Sequence, residues 1–319
     1  MALTFRSTRG ASDAANLIAV HTACAEVDAL LTESAEEYAG NLGWYNHALE
    51  NSDPKDWVIA ELDGAIVGYG QTLENWAERD GTQVYLHQGW IKPEYRNQGF
   101  GTQLITKLEE RCQEKATVNN HLEHLEVAGN ASGTEIAAQA LLREKDYFTV
   151  FTMLDMELDS DMMGLEHAPI ATAYELRPVL PEHHLAIWQS IGDVHDAKNM
   201  GNPRFSEVPR EFDQYFNGDS SLWFVLWEIE SHRIAAQVLC RINEHGTAEI
   251  FEVSVGVAHQ RKGIARALMQ RAIYALRSRD VKKIVIGTRL ENPTEAWRMY
   301  ESVGFRILKQ FPRWRKRKN

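Results

Sequence analysis

The stretch from Glu249 to Ala265 holds the residues best spaced for chemistry in this 319-residue chain. Up to Val257 it is rich in β-branched side chains and reads as a buried strand with one early carboxylate, Glu249. It then breaks into a polar loop, Gln260-Arg261-Lys262-Gly263-Ile264-Ala265, and runs into a helical pattern through Ile264, Leu268, Ile273 and Leu276. Strand, short glycine loop and helix N-terminus, in that order, make an anion site. The unpaired N–H groups of a first helical turn point at one place, the helix dipole favours negative charge there, and glycine lets a phosphate approach closely.

The spelling narrows the anion. A P-loop needs G-x-x-x-x-G-K-[ST] and a dinucleotide fold needs G-x-G-x-x-G, and this stretch has neither. It has [Q/R]-x-x-G-x-[G/A], and the chain carries that pattern in the same context twice. Ile91-Lys92-Pro93-Glu94-Tyr95-Arg96-Asn97-Gln98-Gly99-Phe100-Gly101 repeats the strand–loop–helix order and is followed by Leu104, Ile105 and Leu108. Gly99 and Gly263 lie 164 residues apart, about half the chain. A hairpin precedes each copy, Trp57 to Gly68 with an Asp63-Gly64 turn, and Trp223 to Leu239. Further upstream stand two similar openings, Leu3 to Arg6 and Tyr174 to Pro178. A repeat this long is a duplicated domain rather than a solenoid unit.

The loop and its context resemble the pyrophosphate loop of the Gcn5-related N-acetyltransferase (GNAT) family, and the resemblance covers nearly the whole chain. It implies an α/β fold of two tandem domains, each a mixed, mostly antiparallel sheet flanked by helices. The expected division is 1–158, a linker at 159–172, and 173–319. The helical patterns at Ala14 to Leu31 and Ala35 to Leu49, and the irregular Asp193 to Phe216 with His195, would overhang the two acceptor sites. His195 itself reads as a solvated loop residue.

Composition sets the outer limits. No apolar run approaches the roughly 20 residues of a membrane span, and nothing at the N-terminus reads as a secretion signal. Three widely spaced cysteines, Cys24, Cys112 and Cys240, read as reduced thiols of a cytoplasmic protein. Residues 1–160 carry 11 Lys+Arg against 26 Asp+Glu, net −15, whereas residues 161–319 carry 23 against 19, net +4. The first half disfavours a polyanionic partner, and the second suits an anionic cofactor. The basic tail, Arg313 to Lys318, reads as a solvated terminus rather than a nucleic-acid arm. His121 and His124 have no third ligand in view, so no metal site is expected.

The resemblance assigns chemistry by position. The cofactor would be acetyl-coenzyme A, the acyl donor, and the acceptor a primary amine attacked directly in a ternary complex. The general base lies about eleven residues before the [Q/R] of the loop, which lands on Glu249; Glu252, expected on the opposite strand face, is the reserve. Val253 and Val255 would offer backbone groups to the cofactor. Gln260, Arg261, Lys262, Gly263, Ile264 and Ala265 would hold its pyrophosphate. Ile91, Arg96, Asn97, Gln98, Gly99, Phe100 and Gly101 are their counterparts. In Glu291 to Phe305, Asn292 reads as an N-cap and cofactor contact with Pro293 at the first helical position. Tyr300 is the acid for the departing thiolate, although one residue more than the family pattern separates it from Asn292. The first half has Tyr85 and Leu142 where Glu249 and Tyr300 stand. The second half is therefore expected to catalyse, and the first to bind acyl-coenzyme A or support the fold. Three acceptor readings remain open: a small-molecule amine, a protein or peptide amine, or none, as in a non-catalytic acyl-coenzyme A sensor. No nucleic-acid or membrane partner is expected, and the assembly is a monomer or a homodimer.

Overall fold

The computed structural model describes residues 3–29, 42–78, 80–159, 168–197 and 212–317. The expected helix from Ala35, most of the linker and much of the region after Ala197 fall outside them. The chain folds as two compact units, one of residues 1–152 plus 309–319 and another of residues 153–308.

In the first unit the chain forms β1 (Leu3–Ser7), α1 (Ala14–Asp28), α2 (Leu42–Glu50), β2 (Trp57–Leu62), β3 (Ala65–Ala77), β4 (Gln83–Ile91), α3 (Phe100–Val118), β5 (Leu125–Asn130) and α4 (Ile136–Glu144). β1 to β4 form an antiparallel meander, and β5 joins β4 in parallel. Asp63 and Gly64 turn the first hairpin with φ of 50° and 84°, the left-handed pair such a two-residue turn requires.

The second unit repeats the plan with β7 (Tyr174–Arg177), α5 (His184–Ala197), a short α6 (Phe212–Tyr215), β8 (Trp223–Glu228), β9 (Ile234–Ile242), β10 (Thr247–Val255), α7 (Ile264–Arg277), β11 (Lys283–Arg289) and α8 (Ala296–Glu301). Here too the order is an antiparallel meander with a parallel pair, β10 and β11, at its end. Residues Ala235 to Cys240 of β9 are buried throughout rather than alternately, as a strand covered on both faces must be.

The last strand of each unit comes from the other half of the chain. β6 (Phe148–Leu158) reaches the second unit, where Met153 to Glu157 pair antiparallel with β11. β12 (Phe305–Arg317) reaches the first, where Arg313 to Arg317 pair with β5. Residues 153–158 and 309–319 thus group opposite to the division expected from composition. Arg313 to Arg317 of the basic tail, expected to be a solvated terminus, belong to this strand. Trp314 is buried against Tyr85, Leu142 and Tyr147, with the Arg143 guanidinium 5.0 Å from its ring. Arg315 pairs with Glu78 and Glu126, Arg317 with Glu126, and Lys316 with Glu109. The acidic excess of the first half is partly spent on holding this strand, which charge counting alone could not reveal.

The three cysteines are free and buried, and burial pushes the thiols of Cys24 to about 11 and of Cys112 and Cys240 to about 12, so they stay protonated and unreactive at neutral pH. His121 bonds through Nδ1 to the Tyr85 hydroxyl at 2.9 Å, and no group of three or more His, Cys, Asp or Glu among the described residues could hold a metal. Among the described residues no helix is long and apolar enough to cross a membrane.

If β12 is a structural strand, Trp314→Ala should cost the first unit about 3–5 kcal/mol of stability, read from denaturant midpoints. A loss below about 1 kcal/mol would show the segment to be peripheral.

Candidate active site

β10 pairs with β11 only from Thr247 to Ile250, opposite Lys283 to Ile286. Beyond that point its ladder to β9 continues to Val255. The two parallel strands therefore part at Phe251, and a bulge sits at the same place, because Ile250 faces Cys240 while Glu252 already faces Leu239. Phe251 is the extra residue. It shifts the alternation, so that Val253 and Val255 turn to one face of the sheet and Glu249, Glu252 and Ser254 to the other. Strict alternation predicts Glu249 and Glu252 on opposite faces; the bulge brings them to the same one.

After Val255 the chain makes a short turn, Val257–His259, and enters the loop. Arg261 and Gly263 adopt φ of 62° and 76°. Asn97 and Gly99 do the same at 61° and 78°. The match extends to the hydrogen bonds: Gly256 N–H to Ala235 O and Lys92 N–H to Val67 O, His259 N–H to Gly256 O and Tyr95 N–H to Lys92 O. The first residue of each motif has a common task. The Gln260 amide donates to Val255 O at 3.0 Å, and the Arg96 Nε donates to Ile91 O at 3.0 Å. Either side chain bolts the loop to the end of its strand, which is why glutamine and arginine interchange there. A left-handed Arg261 costs about 1–2 kcal/mol, which the loop's hydrogen bonds must offset.

The first intrahelical bond of α7 runs from Ala267 N–H to Gly263 O. The amides of Ile264, Ala265 and Arg266 are left without helical partners at the head of the dipole. They open on a cleft of about 430 Å³ lined by Val253, Val255, His259, Gln260, Arg261, Gly263, Ile264, Ala265, Arg266, Thr294, Ala296, Met299 and Tyr300. No Asp or Glu among the described residues lines it, so free amides and two guanidinium groups fit a pyrophosphate.

The far wall departs from expectation at Asn292. Its Oδ1 accepts from the N–H and hydroxyl of Thr294, making a local turn, and the helix α8 starts at Ala296 after Glu295 at φ 47°. The extra residue is absorbed in that left-handed Glu295, and Thr294 rather than Asn292 lines the cleft. Lys262 also stands off the cleft, its Nζ 3.5 Å from the Tyr174 hydroxyl. Tyr300 closes the cleft, buried. Burial and then the nearby Glu252 raise its pKa, so the phenol stays protonated through the neutral range.

The two carboxylates separate clearly. Glu249 is 42% exposed and ion-paired with Arg241 at 2.6 Å. Glu252 is 8% exposed, close enough to Tyr300 to shift it, with the His195 Nε2 3.6 Å away. His195 lies in the last turn of α5 rather than in a loop. His259, Arg266, Thr294, Ala296 and Met299 were missed; a guanidinium in the first turn of a helix below a glycine loop was the one available signal, at Arg266.

The first unit holds a corresponding cleft of about 510 Å³ with different chemistry. Ile91, Arg96, Asn97, Gly99 and Gly101 line it, whereas Gln98 and Phe100 do not. Its lining includes Asp28, Glu135 and Glu144, and the Arg96 guanidinium is committed to Asp28 at 2.6 Å. Gln88 stands 164 residues before Glu252, an amide in place of the acid. Where β4 and β5 part after His87–Gly129, His87 is buried, with Nε2 2.7 Å from the Tyr147 hydroxyl, which donates to Glu109. Burial and then Lys316 push His87 down to about 4.

The family model described as the acetyltransferase (GNAT) family matches residues 22–134 and 188–305. The chain belongs to that family, with two of its domains in tandem. It is 24% identical over 255 residues, 77% of this chain and 70% of the other, to the mycothiol acetyltransferase of Renibacterium salmoninarum. It is 29% identical over 129 residues, 36% of this chain and 73% of the other, to the spermidine N(1)-acetyltransferase of Vibrio cholerae. In fold it is similar to a GCN5-related N-acetyltransferase from Sphaerobacter thermophilus, with a TM-score of 0.77, 20% identity, and coverage of 98% of this chain and 95% of the other. The chain is thus an acetyltransferase-family enzyme.

Removing the bolt tests the cofactor loop. Gln260→Ala should weaken coenzyme A binding about fivefold by calorimetry, the worth of one hydrogen bond of about 1 kcal/mol. Lys262→Ala should change it less than about twofold. Equal losses would contradict this geometry.

Proposed function

We propose that the second unit transfers the acetyl group of acetyl-coenzyme A to a primary amine, directly and within a ternary complex. The observation that carries this reading is the meeting of three features at the parting of β10 and β11. They are a cleft with no acid among its described lining residues, headed by free amides, a buried phenol at its end, and a buried carboxylate beside that phenol.

In this account the Gly263 loop and the first turn of α7 hold the pyrophosphate. Val253 and Val255 lie on the edge of β10 that β11 leaves unpaired, and their backbone groups align the pantetheine arm. The amine approaches from the face of Glu252, so nucleophile and thioester meet through the gap between the strands. Glu252, rather than the exposed and paired Glu249, takes the amine proton. The N–C bond forms, the C–S bond breaks, and Tyr300 protonates the departing sulfur. A raised pKa suits that role, because the phenol holds its proton until a thiolate appears beside it.

The acceptor class rests on the relatives. One is named for spermidine and another for mycothiol, so a small amine-bearing molecule is the favoured acceptor. Coenzyme A thiol release from acetyl-coenzyme A, measured across polyamines, amino sugars and lysine peptides, should respond to one class. Response to peptides alone would make the partner a polypeptide. Tight acetyl-coenzyme A binding with no release would favour the sensor reading.

Within the responding reaction, Tyr300→Phe and Glu252→Gln should each lower kcat by about 10²-fold or more with little change in the KM for acetyl-coenzyme A. Glu249→Gln should stay within about twofold. A large loss in Glu249→Gln with Glu252→Gln unharmed would reverse the assignment.

A further inference from the structure

We infer that Gln237 and Ser254 set the acceptor specificity of the second unit, selecting an amine that carries a nearby hydroxyl group. This rests on the acetyl-transfer reading above and names the class of acceptor within it.

The two side chains make a buried polar contact with capacity to spare. Gln237 in β9 and Ser254 in β10 stand directly opposite each other and are 1% and 2% exposed. The Gln237 Nε2 donates to Ser254 Oγ at 2.7 Å. Its Oε1 is buried and has no hydrogen-bond partner among the described residues. The Ser254 hydroxyl accepts the amide bond and keeps its own proton to give. A buried carbonyl oxygen without a donor opposes folding, so its presence calls for a reason beyond packing.

The first unit shows what the same positions hold when they serve the core. Val255 and Ile91, whose carbonyls take the bonds from Gln260 and Arg96, face Ala236 and Gly68. One pair further into each sheet, the second unit has Ser254 opposite Gln237, and the first has Trp90 opposite Tyr69. Those two rings pack at 5.2 Å, and the Tyr69 hydroxyl is bonded to that of Tyr45 at 2.9 Å. A filled and satisfied aromatic pair thus gives way, in the second unit, to two groups that can still bind a ligand.

Their position says which part of a ligand they meet. Ser254 shares a sheet face with Glu252, two residues away on β10, and Gln237 lies diagonally across from Glu252. Diagonal neighbours stand about 7–8 Å apart, a span that one small molecule bridges. An amine with its nitrogen at Glu252 therefore has its next few atoms within reach of the pair. Gln237 Oε1 takes a proton, and the Ser254 hydroxyl gives one. A hydroxyl group answers both, donating to the carbonyl and accepting from the serine. A second ammonium answers only the carbonyl, and a methyl group answers neither. The acceptor is accordingly an amino alcohol, amino sugars included, rather than a polyamine or an alkylamine.

The test sets ethanolamine, propanolamine and butanolamine against propylamine, butylamine and pentylamine, in which methyl replaces hydroxyl. In thiol release by the whole protein, the best amino alcohol should exceed its alkylamine about tenfold or more in kcat/KM. Gln237→Leu/Ser254→Ala removes both halves of the pair and leaves no orphan. It should bring the two amines within about twofold and keep or raise the denaturant midpoint. No preference in the unmodified protein, or one that survives in the variant, would overturn the inference. A fallen midpoint would mark the pair as structural and overturn it too. If no amine releases thiol, acetyl transfer itself fails, and a crystal structure with coenzyme A and the amino alcohols decides the pair alone. The hydroxyl should then lie within about 3.2 Å of Gln237 Oε1. An ordered water on that oxygen, or no amine beside it, would overturn the assignment.

Discussion

Everything at the candidate site depends on two parallel strands that stop bonding after four residue pairs. β10 and β11 are joined from Thr247 to Ile250, and beyond that point no strand among the described residues pairs with this edge of β10. An unpaired buried backbone group costs about 1–3 kcal/mol, so such an edge persists where something else satisfies it. A pantetheine arm with its amide groups is suited to that. The Phe251 bulge occurs where the ladder ends, and it turns Glu252 and Val253 to opposite faces. One irregularity thus sorts a buried carboxylate and the floor of the cleft onto two faces of the sheet.

The same plan is worked differently in the first unit. The loop is nearly superimposable in its torsions and bonds, including the left-handed Asn97 and Gly99. The strand leading into it differs, because the irregular register falls on β3, between Thr72 and Asn75, and β4 runs on without a bulge. The carboxylate becomes Gln88, the phenol becomes Leu142, and the cleft gains Asp28, Glu135 and Glu144. Burial and neighbouring Asp28 raise the pKa of Glu135 even though Ser132 hydrogen-bonds it. A lining of that sign suits an anionic cofactor less well than the cleft around Arg261 and Arg266, whose described lining holds no acid.

Much of this was legible in the sequence, for identifiable reasons. Glycine loops followed by helices leave a local signature, because left-handed torsions and a free first turn demand particular residues. Both loops, their helices and the Asp63-Gly64 hairpin could therefore be read directly. The bulge could not, since Phe251 differs in no way from a regular strand residue. A count of eleven from Gln260 reached Glu249, and alternation put Glu252 on the wrong face. The start of α8 was misread because Asn292 caps a turn of its own, and Glu295 then takes up the extra residue. The tail escaped because its partners, Glu109 and Glu126, lie about two hundred residues away.

The central claim is that transfer occurs in the second unit, and paired disruption of the two loops tests it most directly. Glutamate at Gly263 would place a strained side chain and a negative charge where the proposed pyrophosphate would sit; at Gly99 it would do the same to the other loop. Amine-dependent thiol release should vanish in Gly263→Glu and persist in Gly99→Glu, with both proteins folded by circular dichroism. Turnover that survives Gly263→Glu and disappears in Gly99→Glu would contradict the account.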